Sequence, residues 1–273
     1  MQYSPIFVLM KNSKFVRMHL KKPQFILFLL LLLLHFQVAA QLKDSVISVG
    51  LITANYSLGI PAGDLADRFG LSSDIGAGFL YKFRNNMLIG GNLGFIFGGK
   101  VKEDTIFNGI IHSNNIFYGS EGIFSNVILL ERGFDMYLRV GKLFTLFGPN
   151  PNSGLLVTAG VGFLQHKIRI QVNQDFQEND LPQLDNQQKK GYDRLSNGFS
   201  LNQFAGYMHL DNKRLMNFFI GIDFSQAWTK NRRSWNFDTM EKDTMKRLDI
   251  LYGFRIGWIV PLYPKRVQDV YYY

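Results

Sequence analysis

The sequence predicts an all-β protein, specifically an eight-stranded antiparallel up-and-down transmembrane β-barrel of the outer-membrane type. Three observations favour this fold: strict side-chain alternation, short turns alternating with long loops, and an apolar N-terminal leader. Alternation is clearest in the final segment, 247–263, where every second residue from Leu248 to Leu262 is apolar or aromatic. Alternate side chains of a strand point to opposite faces. The segment therefore has one apolar face and is long enough to cross a bilayer obliquely, which takes about 9–11 residues.

Residues 1–40 are predicted to be an N-terminal extension and a cleavable signal peptide. Two lysines precede the apolar run Phe25–Leu34, and the small residues Val38–Ala40 precede an expected cut before Gln41. A membrane-anchor helix is the alternative, but the 16 residues from Phe25 to Ala40 are short for a span of about 20. Translation could begin at Met1 or at Met18.

Composition excludes several classes of function. The chain has 30 Lys+Arg against 21 Asp+Glu, but residues 1–40 hold five of the bases and no acid, so the remainder has 25 against 21, a net charge of +4. No basic stripe accompanies a reading helix, so no nucleic-acid partner is predicted. The absence of cysteine excludes disulfides, thiolate metal sites and a lipoprotein anchor.

Eight strands in four hairpins are predicted between residues 45 and 263: 45–58, 75–83, 87–99, 134–144, 155–171, 199–210, 216–229 and 247–263. Residues 64–69, in the first connection, could form one helical turn. Connections after the second, fourth and sixth strands are short, whereas the others are longer and polar. Outer-membrane barrels place short turns in the periplasm, and an even strand count puts both mature termini there. Val49 and Leu51 are expected on the apolar face of the first strand, and the fifth strand is expected to change phase near Lys167.

The opposite face of these strands is rich in glycine: Gly50, Gly76, Gly78, Gly90, Gly94, Gly98, Gly160, Gly162, Gly221, Gly253 and Gly257. A soluble lipocalin-like barrel would turn its polar face to water and carry more Lys, Glu and Thr there. A narrow barrel interior instead needs small side chains and a few polar groups. We therefore expect the apolar face to contact lipid and the glycine face to line the lumen.

Two sets of residues are assigned structural roles. Charged side chains on the glycine face are expected to form a lumen network, because buried charge persists only when it is paired; they are Asp135, Arg139, Asp223, Asp249 and Arg255, with Asp223 near Arg255. Tyrosines and tryptophans are expected to form aromatic girdles at the two membrane interfaces; they are Tyr137, Tyr207, Trp228, Tyr252, Trp258 and Tyr263.

The sequence offers only weak candidates for a catalytic or cation-binding site. The histidines after the leader are His112, His166 and His209; no Ser lies in a GxSxG motif, so we expect His166 to be a satisfied lumen residue and His112 a solvated one. Acidic residues that could bind a cation do not match a calcium loop; they are Asp64, Asp67, Asp175, Glu178 and Asp180. No cofactor is predicted. Arg232, Arg233 and Trp235 form an exposed basic loop that could contact lipopolysaccharide phosphates.

Three features suggest a family: the signal ending Ala39-Ala40-Gln41, the first hairpin with Pro61, Gly63-Asp64 and Ala66, and the run Gly154–His166. With them, residues 41–263 resemble the small outer-membrane β-barrels of Bacteroidota, the PorT-like and OmpA-like group. The resemblance implies a role in protein secretion or outer-membrane assembly, and it supplies no catalytic motif. The chain departs from the usual barrel ending, because a ten-residue tail, 264–273, ending in Tyr271–Tyr273 follows the last strand.

These observations predict an integral outer-membrane protein that is a non-catalytic structural or accessory subunit of an envelope complex. An eight-stranded barrel is filled by its own side chains, which argues against a diffusion porin. The expected partners are outer-membrane lipid, lipopolysaccharide and other envelope proteins. The alternative is an outer-membrane enzyme acting on lipid or peptide, with His112 or His166 central.

Overall fold

The computed structural model describes residues 45–103, 105–107, 116–118, 124–172, 184–211 and 216–263. The predicted signal peptide and the 264–273 tail lie outside these residues. So do His112 and three of the acidic candidates, Asp175, Glu178 and Asp180. Within the described residues, no helix is long and apolar enough to span a membrane.

Strands account for most of the described chain: β1 (Val49–Gly63), β2 (Ser72–Lys82), β3 (Met87–Gly98), β4 (Ile116–Tyr118), β5 (Phe124–Phe144), β6 (Gly154–Val172), β7 (Ser196–His209), β8 (Phe218–Asn231) and β9 (Lys246–Leu262). Two short helices lie in connections, α1 (Asp64–Arg68) after β1 and α2 (Lys189–Tyr192) before β7. The helical turn predicted at residues 64–69 is thus confirmed. The strand β4 pairs only with the start of β5 and lies outside the main ring.

The other eight strands of the described chain form a closed antiparallel ring in the order β3-β2-β1-β9-β8-β7-β6-β5, completed by pairing of β3 with β5. Directly paired residues traced around the ring from Thr53 return to β1 at Gly63. The barrel shear is therefore 63 − 53, or 10 residues. With usual strand dimensions this gives a strand tilt of about 40°, within the range of closed barrels. The predicted fold class is confirmed.

The outer surface of the ring is aliphatic and aromatic. Large apolar side chains at alternate positions are exposed on every ring strand, among them Ile52, Ile75, Phe79, Leu93, Phe95, Met136, Leu138, Val161, Phe199, Ile222, Phe254, Ile256 and Trp258. Such a band is what a transmembrane barrel presents to lipid, and it is far larger than the apolar patches of soluble monomers. The lipocalin-like arrangement, with the apolar face inward, is wrong for this chain.

The interior is stacked in three layers. At the short-turn end lies an apolar cluster that includes Leu51, Leu88, Leu156, Phe204, Met208, Phe219 and Ile259. The middle is polar and charged, with buried Asn, Ser, Asp and Arg side chains. At the loop end a second apolar cluster, which includes Leu65, Phe69, Ile106, Ile168, Ile170 and Tyr192, closes the mouth. A cavity between the lower cluster and the polar layer measures only about 30 Å³, room for about one water molecule.

This layering corrects two phase predictions. Val49 and Leu51 are 1% and 0% exposed and point into the lower cluster, so the outward residues of β1 are the even-numbered ones, and Gly50 lies on the outward face beside Tyr81. The expected phase change at Lys167 does not occur: alternation continues to Val172, with Ile168 buried in the upper cluster. Both errors arise because the barrel interior is apolar at its ends.

Strand lengths also exceed the prediction on the loop side. The strand β5 begins at Phe124, ten residues before the expected start at residue 134, and its extension pairs with the end of β6. β1 runs on to Gly63. Glycine is required there because φ is 59° and because a Cβ would lie only 2.4 Å from the Leu248 carbonyl oxygen. These extensions carry the upper apolar cluster and α1.

Glycine should contribute to stability at lumen positions where a Cβ would collide with both a neighbouring strand and an aromatic ring. A Cβ at Gly162 would lie 1.9 Å from the Met136 carbonyl oxygen and 2.7 Å from the Tyr137 ring. We expect Gly162→Ala to lower the free energy of unfolding by about 1–3 kcal/mol, the usual cost of overpacking. Urea unfolding in detergent, followed by tryptophan fluorescence, measures this.

The control is Gly91→Ala on the outward face, where the atom nearest to a new Cβ is the Tyr137 carbonyl oxygen, at 3.1 Å. We expect that variant to unfold within about 0.5 kcal/mol of the wild type. Equal stability of the two variants would show that Gly162 is not closely packed.

Candidate functional sites in the lumen and on the loop side

An ion pair with several hydrogen bonds occupies the middle of the lumen. Arg255 Nη2 lies 3.0 Å from Asp223 Oδ2, and Arg255 Nε donates to Ser57 Oγ at 2.9 Å. Asn202 Nδ2 donates to the same Asp223 oxygen at 3.1 Å and to Ser225 Oγ at 2.8 Å. All five side chains are buried, so the pair has the supporting hydrogen bonds that a desolvated ion pair needs. The structure thus brings together Asp223 and Arg255, as the sequence analysis expected.

Two other members of the predicted network, Asp135 and Arg139, face the same layer without a direct ion pair to each other in the described residues. Arg139 lies against the Tyr137 ring, with Cζ 5.6 Å from the ring centre, and its Nε and Nη2 have no hydrogen-bond partner. Asp135 Oδ1 is likewise unpartnered. Arg139, together with Asn92, lines the cavity described above.

Sequence reasoning missed Asp74, a further buried carboxylate of this layer. Asn55 Nδ2 lies 3.4 Å from Asp74 Oδ1, and a Cβ added at Gly94 would meet both Asp74 Oδ2, at 2.2 Å, and Asp135 Oδ1, at 2.6 Å. The signal was present, because Asp74 has the inward parity of Gly76. It was overlooked because the second strand was predicted to begin at Ile75, whereas β2 begins at Ser72.

Asp249 belongs to a different cluster, nearer the loop end. Its Oδ2 lies 2.8 Å from His166 Nε2 and accepts a hydrogen bond from Thr229 Oγ1 at 2.5 Å. The prediction that Asp249 shares one network with Arg255 and Asp223 is therefore corrected. The His166 ring is 2% exposed and meets the edge of Phe69, with ring centres 5.5 Å apart. His166 Nδ1 has no hydrogen-bond partner among the residues that the structure describes.

Arg68, at the end of α1, caps this cluster from above. Its Nε donates to Glu103 Oε1 at 2.9 Å and its Nη1 to Ser196 Oγ at 3.2 Å. Burial lowers the pKa of the Arg68 guanidinium, and the Glu103 carboxylate opposes that change. Arg194 also contacts Glu103, at 3.2 Å, and Asp238. These pairs join four loop-side connections, those after β1, β3, β6 and β8, at the barrel mouth.

The predicted girdle needs correction at two positions, Tyr137 and Tyr263. Tyr137 is 1% exposed and points into the lumen, where its hydroxyl lies 2.8 Å from Ser200 Oγ; its parity beside Asp135 and Arg139 already indicated this. Trp228, Tyr252 and Trp258 are exposed on the outward face. Of the remaining pair, the Tyr207 hydroxyl donates to the Phe147 carbonyl oxygen at 3.4 Å, and Tyr263 packs against the lower apolar cluster.

The loop-side candidates have mainly structural contacts. Arg233 donates from Nε, at 2.7 Å, and from Nη2 to the Asp193 carboxylate, and these hydrogen bonds raise the pKa of the guanidinium. Arg232 Nε donates to Asn197 Oδ1 at 2.5 Å, while Trp235 is exposed. Asp64 Oδ2 accepts the Leu248 N–H at 2.6 Å. Among the residues that the structure describes, no three His, Asp or Glu side chains are grouped to hold a metal ion.

No family model matches the sequence, and no curated protein matches it. Among solved structures, Neisserial surface protein A is similar at 10% identity and a TM-score of 0.36, over 77% of this chain and 96% of that chain. The outer membrane protein OprG from Pseudomonas aeruginosa is similar at 12% identity and a TM-score of 0.36, over 80% of this chain and 99% of that chain. Ail of Yersinia pestis is similar at 11% identity and a TM-score of 0.34, over 77% of this chain and 99% of that chain. At such identities and TM-scores the likeness carries no inference about function, and the barrel assignment rests on the strand registers given above.

Replacing one partner of the central ion pair should destabilise the barrel far more than replacing both partners with apolar residues. Arg255→Met alone leaves Asp223 buried without its partner, so we expect a loss of about 3–5 kcal/mol in the free energy of unfolding. The double variant Arg255→Met/Asp223→Leu should lose less than the sum of the two single variants. Urea unfolding in detergent measures the four states of this cycle.

Lys142→Met serves as the control, because Lys142 is exposed on the outer wall of β5; we expect a change within about 0.5 kcal/mol. Strict additivity of the Arg255 and Asp223 substitutions would contradict a functioning pair.

Proposed function

We propose that this protein is an integral outer-membrane barrel with its apolar belt in lipid and its short turns in the periplasm. The supporting observation is the inversion of the usual soluble pattern: outward faces carry exposed Leu, Ile, Phe and Val side chains, while ion pairs and glycine lie inside. In hydrocarbon every backbone polar group must be satisfied internally, which a closed ring of strands achieves. Periplasmic placement of both mature ends follows from the even strand count.

The protein is further proposed to act as a structural or accessory subunit rather than as a pore. The lumen of the described barrel is filled from end to end by two apolar clusters and a polar layer. Transport through such an interior would need the ion pairs to separate. What remains available to partners is the outer wall and the loop side. Participation in secretion or outer-membrane assembly is proposed from the resemblance to the Bacteroidota barrels alone. No contact among the described residues supports it.

An enzyme acting on lipid or peptide remains the alternative, and the position of His166 weighs against it. The ring is buried under Phe69, and its Nε2 is already bound to Asp249. General acid–base catalysis needs a side chain within hydrogen-bond reach of its substrate. His112, the other candidate, lies outside the described residues. We therefore favour the subunit role.

Gentle extraction tests the proposed function directly. We expect the chain to fractionate with outer membranes, to require detergent for solubility, and to copurify in mild detergent with at least one further envelope protein. The purified barrel should give no steady conductance in planar bilayers, because the filled lumen offers no aqueous path.

Two results would contradict the proposal at different levels. A chain that stays in solution without detergent after signal removal would end the membrane assignment. A strictly lone monomer under mild extraction would leave the barrel intact but end the subunit role.

A further inference from the structure

A basic cleft lies on the loop side of the barrel, where β6 rises above the apolar belt. We use this name for the space lined by Lys167 and Arg169 of β6, Lys189 and Lys190 of α2, and the Arg233–Asp193 pair. Its volume is about 300 Å³, at the lower end of the range for ligand pockets. The strand register places Lys167 directly beside Arg132 of β5, which adds a neighbouring cation.

Three cations of the basic cleft, Lys167, Arg169 and Lys190, have no acidic partner among the described residues. Asp193 is the acid of its lining, and both carboxylate oxygens accept hydrogen bonds from Arg233. Lys190 Nζ is bound to the neutral Gln187 Oε1 at 3.0 Å. Lys167 and Arg169 are exposed and form no ion pair with any acid that the structure describes. Within the described part of the chain, Lys167, Arg169 and Lys190 thus bring positive charge to the cleft that no acid offsets.

The wall beneath the basic cleft is apolar, and the change of character is abrupt. Following the outward residues of the β5–β6 ladder towards the loops, the pair Met136–Phe163 is succeeded by Phe134–Gln165 and then by Arg132–Lys167. The Phe134 and Phe163 rings contact each other, with centres 5.9 Å apart. Only one residue pair, Phe134–Gln165, thus lies between the Met136–Phe163 pair and the cations, which matches the step from acyl chains to headgroups at a membrane surface.

We propose that the basic cleft binds the phosphate groups of a membrane lipid whose acyl chains lie on the aromatic wall below it. Ammonium and guanidinium groups bind phosphate through charge-assisted hydrogen bonds. The site requires both features at once: cations for the phosphates, and the exposed Phe134 surface for hydrocarbon. The proposal depends on the membrane location proposed above and goes beyond it by assigning the lipid contact to particular side chains.

The test uses the full mature chain, freed of lipid and held in neutral detergent micelles. The probe is a lipid A carrying two phosphates, compared with the same glycolipid after enzymatic removal of both phosphates, and with inorganic phosphate as competitor. The test variant is Lys167→Gln/Arg169→Gln. The matched control, Arg84→Gln/Lys142→Gln, removes the same charge from exposed residues at the short-turn end.

We expect the wild type to bind the phosphorylated lipid about tenfold more tightly than the dephosphorylated one at 0.15 M salt, with the preference lost near 1 M salt, where charges are screened within about 3 Å. Lys167→Gln/Arg169→Gln should bind the phosphorylated lipid about tenfold more weakly than the wild type, while Arg84→Gln/Lys142→Gln should bind within about twofold of it.

Equal binding of the two lipids, or equal losses in the two double variants, would overturn the proposal. Competition by inorganic phosphate as strong as that by the lipid would also overturn it, since the cleft would then be a soluble-anion site. Membrane fractionation of the same variants separates this outcome from failure of the outer-membrane assignment, because micellar binding can be measured whether or not the chain resides in a membrane.

Discussion

The pairing of β3 with β5 is the contact on which the whole structure depends, because it turns an eight-stranded sheet into a ring. Twelve residues of each strand pair in that register, from Met87 with Lys142 to Gly98 with Glu131. Without it, two strand edges would present unpaired N–H and C=O groups to hydrocarbon, at several kcal/mol for each group. Closure with a shear of 10 residues also fixes the diameter of the lumen, and so the side chains that can fill it.

The narrow lumen explains the interior chemistry. At several positions the register brings a residue so close to a neighbouring strand that even a methyl group would collide; at Gly253 a Cβ would lie 1.9 Å from the Leu58 carbonyl oxygen. Where space remains, Arg255 and Asp223 fill it as a hydrogen-bonded pair. The apolar clusters at both ends exclude water from this pair, which strengthens its attraction and raises the cost of breaking it. A barrel packed in this way is suited to hold its outer wall and loops rigidly.

Alternation was sufficient to predict the strands, the ring and the outward direction of the apolar face, since a period of two needs no tertiary information. It failed where the lumen itself is apolar. Leu51 and Ile168 were assigned from hydrophobicity alone, and both lie inside. Tyr137 was grouped with interfacial aromatics by residue type, although its parity placed it beside Asp135. The partnership of Asp249 with His166 could not be predicted, because it depends on the shear, which offsets facing strands by an amount that no local pattern reveals.

Side-chain parity is the central claim, and the chain is well suited to a direct test because it contains no cysteine. Within β7, Ala205 is exposed on the outer wall, whereas Ser200 is buried against the Tyr137 hydroxyl. Ala205→Cys and Ser200→Cys are small changes, and each thiol can be coupled to a fluorescent maleimide in the urea-unfolded chain, where water lets it ionise, before the chain is folded into vesicles that contain brominated acyl chains. The account predicts that a label at position 205 permits folding and is strongly quenched by the brominated chains, whereas a label at position 200 prevents closure of the barrel. Folding with the label at position 200 and loss of folding with the label at position 205 would contradict it.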